Sequence, residues 1–162
     1  MTILSICSWL EASAVGVAIS ESEWLFPTIE TVHVLALTLV FGSIAMLDLR
    51  LLGVSSRNRN VTAVAVETLP WTWGAFGVAA ISGSLMFVSA ATKYYSNTPF
   101  RIKMVLLALA GANMAVFHYS AYRRVHNWDG TLPTPVAART AGTLSLAFWV
   151  GVIFAGRWVG FV

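Results

Sequence analysis

Four long apolar runs constrain this chain more than any other feature of its sequence. They cover about residues 25–52, 70–91, 99–122 and 135–161. At a rise of about 1.5 Å per residue, a helix of such a length crosses the roughly 30 Å of hydrocarbon in a bilayer. Only 10% of the 162 residues are charged, whereas about a quarter are charged in ordinary soluble domains. We therefore predict an all-α integral membrane protein that contacts the lipid bilayer.

The prolines and the short connections between the runs predict how the spans are arranged. A proline stands near the predicted start of each run: Pro27, Pro70, Pro99 and Pro135. Proline is favoured in the first turn because the N–H of that turn has no partner within the helix. Short connections make consecutive spans antiparallel neighbours, which is the arrangement of an up-down four-helix bundle. The sequence thus predicts one transmembrane domain over residues 1–162.

Residues 3–20 precede the first span and carry apolar side chains at helical spacing. Ser8, Glu11 and Ser13 lie elsewhere on the same helical wheel. This pattern predicts an N-terminal amphipathic helix that lies at the membrane interface. A short fifth spanning element is the alternative. The segment lacks the basic start that is typical of a secretory signal peptide.

The basic residues predict the orientation of the chain. The first and third connections, with the adjoining helix ends, contain six arginines: Arg50, Arg57, Arg59, Arg123, Arg124 and Arg139. The opposite side holds fewer basic residues and most of the glutamates. By the positive-inside rule, both termini of this multi-pass protein lie outside the cytoplasm of a bacterial inner membrane. Because the basic residues form no patch, we expect no binding of nucleic acid. The single cysteine, Cys7, excludes an internal disulfide framework.

Two ionisable side chains lie in the outer part of the first span. Glu30 and His33 are three positions apart and share a helix face. Ionisable groups inside a span are energetically unfavourable and usually functional. A count of residues from the outer helix ends gives a similar depth to four further side chains: Met86, Lys103, Met104 and Arg157. We interpret this outer layer as a binding site centred on Glu30 and His33, with a hydrogen bond between helices as the structural alternative.

The outer layer predicts a redox cofactor or a metal. Imidazole and thioether groups are ligands that both haem iron and copper accept. His33 is the first candidate ligand, with Met86, Met104 or Lys103 as a further one. Glu30 is a candidate partner that fixes the imidazole ring or accepts a proton. We therefore expect b-type haem or copper.

A second, inner layer contains Asp48, Glu67, His118 and Arg139. Here the structural interpretation is favoured: the carboxylates neutralise nearby arginines, and His118 bonds a backbone carbonyl or a water molecule. His118 lies roughly 16 Å deeper in the bilayer than His33, from the helical rise. That distance disfavours a haem ligated by these two histidines.

The first span also carries a family resemblance. The stretches "WLFPTIETVH" and "DLRLLG" resemble the start and end of the first core helix in a group of small bacterial four-helix membrane proteins, many of unknown function. Trp24, Pro27, Glu30, His33 and Asp48 fit that pattern, as do Arg50 and Gly53. The resemblance covers nearly the whole chain and implies a four-helix fold and a membrane location.

A more distant resemblance concerns the third span. The stretch "RIKMVLLALAGANMAVFH" is similar to the membrane domain of CopD copper-resistance proteins and to HemJ-type protoporphyrinogen oxidases. These families pair a histidine on an early helix with a lysine that opens a later one, which implies His33 with Lys103; Arg101 is the alternative counterpart of the lysine. Asn113 or Met114 stands where HemJ proteins carry another histidine, so we do not expect protoporphyrinogen oxidation.

Two function classes follow from the sequence. The first is a small inner-membrane protein whose outer-leaflet Glu/His site binds b-type haem or copper for electron transfer or metal handling. The second is a non-catalytic accessory subunit of a homo-oligomer or larger membrane complex, in which the same pair joins helices. A proton or metal-ion carrier ranks third, because few polar residues connect the two layers. Whether the chain catalyses a reaction stays open.

Overall fold

The computed structural model describes residues 2–56, 58–129 and 134–161. Within these ranges the chain is helical and contains no β-strand, which confirms the all-α prediction. Arg57 and residues 130–133, which belong to the predicted connections, lie outside the described residues. A short 3₁₀ helix, Tyr122–Asn127, precedes the last α-helix. The α-helices in chain order are α1 (Ile3–Glu11), α2 (Ala14–Glu21), α3 (Leu25–Leu51), α4 (Val61–Ser89), α5 (Ala91–Ser96), α6 (Thr98–Tyr119) and α7 (Val136–Trp158).

Four of these helices, α3, α4, α6 and α7, are long and apolar enough to cross a membrane. The chain is therefore a multi-pass membrane protein in contact with lipid. Helices α3 and α4 form one antiparallel pair, α6 and α7 form the other, and α3 also packs against α7. We refer to the two ends of this bundle as the His33 end and the Asp48 end. A core of buried side chains joins the helices between them: Val40, Ala75, Ala110, Trp149 and Val152.

The bounds of three spans lie within three residues of the prediction, but α4 begins at Val61, nine residues before the predicted start. The expectation that Pro70 opens this span was wrong, since Pro70 lies inside the helix. A proline in a helix interior is unfavourable by about 3 kcal/mol. The turns before Pro70 bury Val61 and Val64, and a fully buried valine contributes roughly 1.5–3 kcal/mol. This burial offsets the missing backbone hydrogen bond.

The start of α4 is held at the Asp48 end by a carboxylate from a distant connection. Oδ1 of Asp129 accepts a hydrogen bond from the backbone N–H of Val61 at 2.6 Å, and its Oδ2 accepts one from the N–H of Thr62 at 3.3 Å. The first N–H groups of a helix have no partner within it, and a negative charge there is favourable. Asp129 thus fixes the connection after α6 against the first turn of α4.

The N-terminal segment forms two helices where the sequence predicts one. Helices α1 and α2 meet at a bend of 63°. Ser13 causes the break, because its side chain accepts a hydrogen bond from the N–H of Gly16 and so starts a new helix. Taken together, the bent pair is apolar enough to count as one broken fifth span. A carboxylate ties this segment to the bundle: Glu11 accepts hydrogen bonds from the N–H and the hydroxyl of Thr92 in α5, at 2.8 and 3.0 Å.

One side of the four-helix bundle is open. The chain order makes α4 and α6 neighbours, yet the backbones of these two helices, which the structure describes over their full lengths, hardly approach each other. At the His33 end the Phe87 ring of α4 stacks on the Phe100 ring of α6, with centroids 5.6 Å apart. Helix α6 buries only Ala110. The bundle is therefore two helical hairpins joined mainly along α3 and α7.

Gly16 lies at a close approach of backbone segments, and we expect Gly16→Ala to loosen the N-terminal helices. An added Cβ would lie 2.7 Å from the carbonyl oxygen of Glu11 and 3.1 Å from that of Val88. Overpacking of this kind destabilises by about 1–3 kcal/mol. Cys7, buried in α1, should then react with a maleimide about tenfold faster or more. Gly77→Ala is the matched control, because its Cβ would meet no atom within 4 Å; equal rates for both variants would contradict the prediction.

Candidate functional site

The His33 side chain is held by a chain of hydrogen bonds between α3 and α4. Its Nδ1 lies 3.0 Å from Oγ of Ser82. The Ser82 hydroxyl in turn lies 2.7 Å from the carbonyl oxygen of Val78, one turn earlier in α4, and donates to it. Ser82 is buried and His33 is half-buried. This polar contact joins the two helices at the His33 end, and the hydroxyl of Thr72 in α4 donates a second hydrogen bond between them, to Ser43 of α3.

This chain of hydrogen bonds assigns the imidazole tautomer. A hydroxyl has one hydrogen, and that of Ser82 is used by the Val78 carbonyl. The Ser82 oxygen can therefore only accept, so Nδ1 of His33 carries the hydrogen and donates. In a neutral imidazole, the other nitrogen then has a free lone pair. Nε2 of His33 is left available as a ligand or as a proton acceptor.

A glycine beside Ser82 makes room for the ring. A Cβ at Gly83 would lie 3.0 Å from Cε1 of His33, closer than side chains normally approach. The imidazole therefore packs directly on the backbone of α4, which fixes its orientation. In the sequence, Gly83 appears only as part of a small-residue pair with Ala79, and Ser82 only as one of several scattered polar residues. No sequence signal singled out either residue, because the count of residues from the helix ends placed Met86, and not Ser82, opposite His33.

Lys103 of α6 is the second predicted site residue that the structure brings to this level. Its side chain runs along α7, with Nζ 3.6 Å from the position that a Cβ of Gly156 would take. It is half-buried, and its charge acts on the His33 imidazole. Within the described part of the chain, Lys103 forms no ion pair. The site therefore combines an imidazole with an ammonium group that forms no ion pair in the described structure.

Glu30 lies one turn from His33, towards the end of the helix, and is exposed. No hydrogen bond joins it to His33, although both residues are described. Its charge instead acts on Tyr94 of α5, outside the spans: burial, followed by the nearby Glu30 carboxylate, raises the pKa of the Tyr94 phenol. The charge of Glu30 thus acts on a residue of α5, and no hydrogen bond places Glu30 as the partner of the imidazole ring.

The remaining outer-layer candidates are less closely grouped. The hydrogen bond to Ser82 shows that His33 lies level with Ser82, so Met86 is one turn nearer the helix end than the count of residues placed it. Met86 is half-buried, whereas Met104 is 49% exposed. The guanidinium of Arg157 lies 4.9 Å from the centre of the Phe161 ring. Of these three, only Met86 lies on α4, the helix whose Ser82 forms the hydrogen bond with the His33 ring.

The inner-layer residues do not form one site. The His118 ring is exposed and stacks on Tyr122, with centroids 5.4 Å apart. Glu67 pairs with Arg59 on the surface, as expected of a neutralising carboxylate. Arg139 is exposed. Asp48 differs, because it is buried and pairs with no arginine among the described residues; Arg57, one of the arginines nearby in the sequence, lies outside them.

No ready-made metal centre is visible in the described ranges. Nowhere in residues 2–56, 58–129 and 134–161 do three His, Cys, Asp or Glu side chains converge. The site at the His33 end offers one imidazole nitrogen, with a thioether and an amine in its neighbourhood. Such a donor set suits a metal-containing cofactor that itself supplies most of the ligands of its metal.

Comparison with known proteins gives a family but no activity. A family model described as "Family of unknown function (DUF6644)" matches residues 6–162. No curated protein matches the chain. No solved structure matches it either.

We expect Ser82→Ala to release the imidazole tautomer without unfolding the bundle. The substitution removes the acceptor of the Nδ1 hydrogen, and the loss of one such hydrogen bond costs about 0.5–1.5 kcal/mol. The ¹⁵N shifts of the His33 ring should change from one protonated nitrogen to a mixture of both forms. His118, which has no contact with Ser82, provides the internal reference. An unchanged His33 spectrum would show that Ser82 does not set the tautomer.

Proposed function

The chain belongs to the family of unknown function DUF6644, and we propose that it holds a redox cofactor at the His33 end, with Nε2 of His33 as a metal ligand. The cofactor is b-type haem or copper. It supplies one-electron transfer when bound. We propose further that this site faces the outer leaflet of a bacterial inner membrane.

The observation that carries the proposal is the fixed tautomer of His33. Metal-ligating histidines commonly donate their other ring N–H to an acceptor, which orients the ring and directs the free lone pair. Here Ser82 is that acceptor, at 3.0 Å, and the Gly83 backbone supports the ring. A histidine that served only to join two helices would need the hydrogen bond but not the close-packed ring.

The donor set favours haem over copper. A copper ion needs several protein ligands, and no three His, Cys, Asp or Glu side chains converge in the described part of the chain. Haem iron receives four nitrogens from the macrocycle and needs only one or two axial ligands. His33 provides one, and Met86 is the candidate for a second. Copper bound by His33 with Met86 and Met104 is the alternative.

Lys103 supports the same proposal through its charge. A half-buried ammonium without an ion pair in the described structure is unfavourable in a membrane, so it calls for an anionic partner. The carboxylates of a haem are such partners. The pairing of His33 with Lys103 that the CopD and HemJ resemblance implies agrees with the charge interaction between the two side chains. Glu30, exposed at the same end, is available to accept a proton when the charge of the site changes.

Protein purified from native membranes should contain haem in proportion to His33. We expect a Soret band in the wild type, near-complete loss of it in His33→Ala, and a several-fold loss in Lys103→Met. His118→Ala is the matched control, because this histidine is exposed at the other end of the bundle. Metal analysis of the same samples distinguishes copper from iron. Neither Soret band nor copper in folded wild-type protein would refute the proposal.

An accessory subunit is the second candidate, and one observation favours it. Ala108 and Ala112 of α6 are exposed and lie one turn apart. Small residues at this spacing let transmembrane helices approach closely. In this case the face of α6 binds a second copy of the chain or another membrane protein, and the His33 contact only joins α3 to α4.

The oligomeric state separates the two candidates. If α6 mediates assembly, wild-type protein should be a defined oligomer in mild detergent, and Ala108→Leu with Ala112→Leu should shift it to the monomer in light scattering. Ala80→Leu, at an exposed position of α4, is the control. A monomeric wild type that carries cofactor would contradict the accessory role.

A further inference from the structure

A cavity of about 180 Å³ lies inside the bundle at the Asp48 end, away from His33. All four spanning helices line it. Its walls are mainly aromatic and aliphatic, and the aromatic side chains among them are Trp73, Phe76, Phe117 and Trp149. An engineered cavity of about 150 Å³ in another protein holds a benzene molecule. The space is thus large enough for one six-membered ring.

One polar atom of this cavity lacks a partner. Asp48 lines the cavity and is only 5% exposed, and its Oδ2 accepts no hydrogen bond. Arg50, two residues on, is directed elsewhere, because its Nε donates to the backbone carbonyl of Arg59 at 2.5 Å. A buried carboxylate oxygen without a donor is unfavourable by about 1–3 kcal/mol or more.

Ser145 also lines the cavity and forms a side-chain hydrogen bond with the Asp48 carboxyl group, but Oδ2 of Asp48 still has no partner. The remaining polar groups of the lining have other partners. The hydroxyl of Thr72 donates to Ser43 at 2.8 Å, and that of Ser43 donates to backbone carbonyls of its own helix. The side-chain amide of Asn113 donates to the carbonyl of Ala141 at 2.9 Å. Asp48 is therefore the cavity group with an unmet demand for a hydrogen-bond donor.

The cavity opens towards the bilayer on the side where α4 and α6 do not pack together. Trp73 and Phe76 of α4 are 56% and 40% exposed, and Met114 of α6 is 48% exposed, although all three also line the cavity. A molecule dissolved in the lipid can reach the cavity through this side. Because a charged donor such as an ammonium group is unfavourable in hydrocarbon, the route favours a neutral one.

We propose that this cavity binds the head group of a lipid-soluble phenol or quinol, whose hydroxyl donates a hydrogen bond to Oδ2 of Asp48. The aromatic walls fit the flat ring, and the open side between α4 and α6 leaves room for an alkyl tail. The site is separate from the one at the His33 end and does not depend on the cofactor proposed there.

A matched pair of ligands tests the role of the hydroxyl. We expect 4-propylphenol to bind the full-length protein in detergent about tenfold or more tightly than 4-propylanisole, which lacks the donor. Quenching of tryptophan fluorescence reports binding, since Trp73 and Trp149 line the cavity. In Asp48→Leu the preference should disappear while weak binding of both ligands persists.

A second variant closes the cavity without changing Asp48. A Cβ at Gly111 would meet no atom within 4 Å, although Gly111 lines the cavity. Gly111→Phe should therefore fold normally, fill the space and abolish binding of both ligands. Gly77→Phe, at an equally open position of α4 outside the cavity lining, should bind as the wild type does.

Three results would overturn the proposal. Equal affinity of the wild type for both ligands would mean that the cavity accepts any apolar molecule, such as a lipid acyl chain. Unchanged binding in Gly111→Phe would mean that the ligands bind outside the cavity. No binding of either ligand by folded wild-type protein would mean that water or a neighbouring helix fills the space.

Discussion

The structure depends on one constraint: within a bilayer, every backbone N–H and C=O must find its partner inside the protein. The four spans meet it by being helices, but their ends cannot, because the first N–H groups of a helix have no partner within it. Here carboxylates from other segments cover two such helix starts. Asp129 covers the first turn of α4, and Glu11 covers the first turn of α5. Because the free N–H groups of α4 and α5 need acceptors, the connection after α6 and the N-terminal segment are fixed to the bundle.

The same constraint explains how much of the fold could be predicted. Hydropathy identifies the spans because every residue of a spanning run has to be compatible with the lipid. The bounds of three of the four spans were predicted in this way to within three residues. Pro70 misled the fourth, since a local preference of proline for the first turn is outweighed by the burial of Val61 and Val64. The break at Ser13 also went unpredicted, because whether its hydroxyl caps a new helix depends on the turn geometry and not on residue spacing.

The candidate site was predictable only on its own helix. His33 stands out because an imidazole in an apolar run is unusual. Its partner Ser82 does not, because serines are ordinary in transmembrane helices and their hydroxyls usually bond their own backbone. Only the rotation of α4 relative to α3 brings Ser82 to the imidazole, and a count of residues from the helix ends cannot supply a rotation. That Oδ2 of Asp48 has no partner required the structure for the same reason, since the sequence offers several arginines nearby.

The contact between α3 and α7 joins the two helical hairpins of the bundle. The two helices approach closely at Gly142, where an added Cβ would lie 3.2 Å from the carbonyl oxygen of Asp48. The two hairpins are α3–α4 and α6–α7, and the bundle is open on the side between α4 and α6. The cavity at the Asp48 end lies between the two hairpins, because all four spanning helices line it. The hydrogen bond between His33 and Ser82 lies within the α3–α4 hairpin, so this contact does not depend on how the two hairpins pack together.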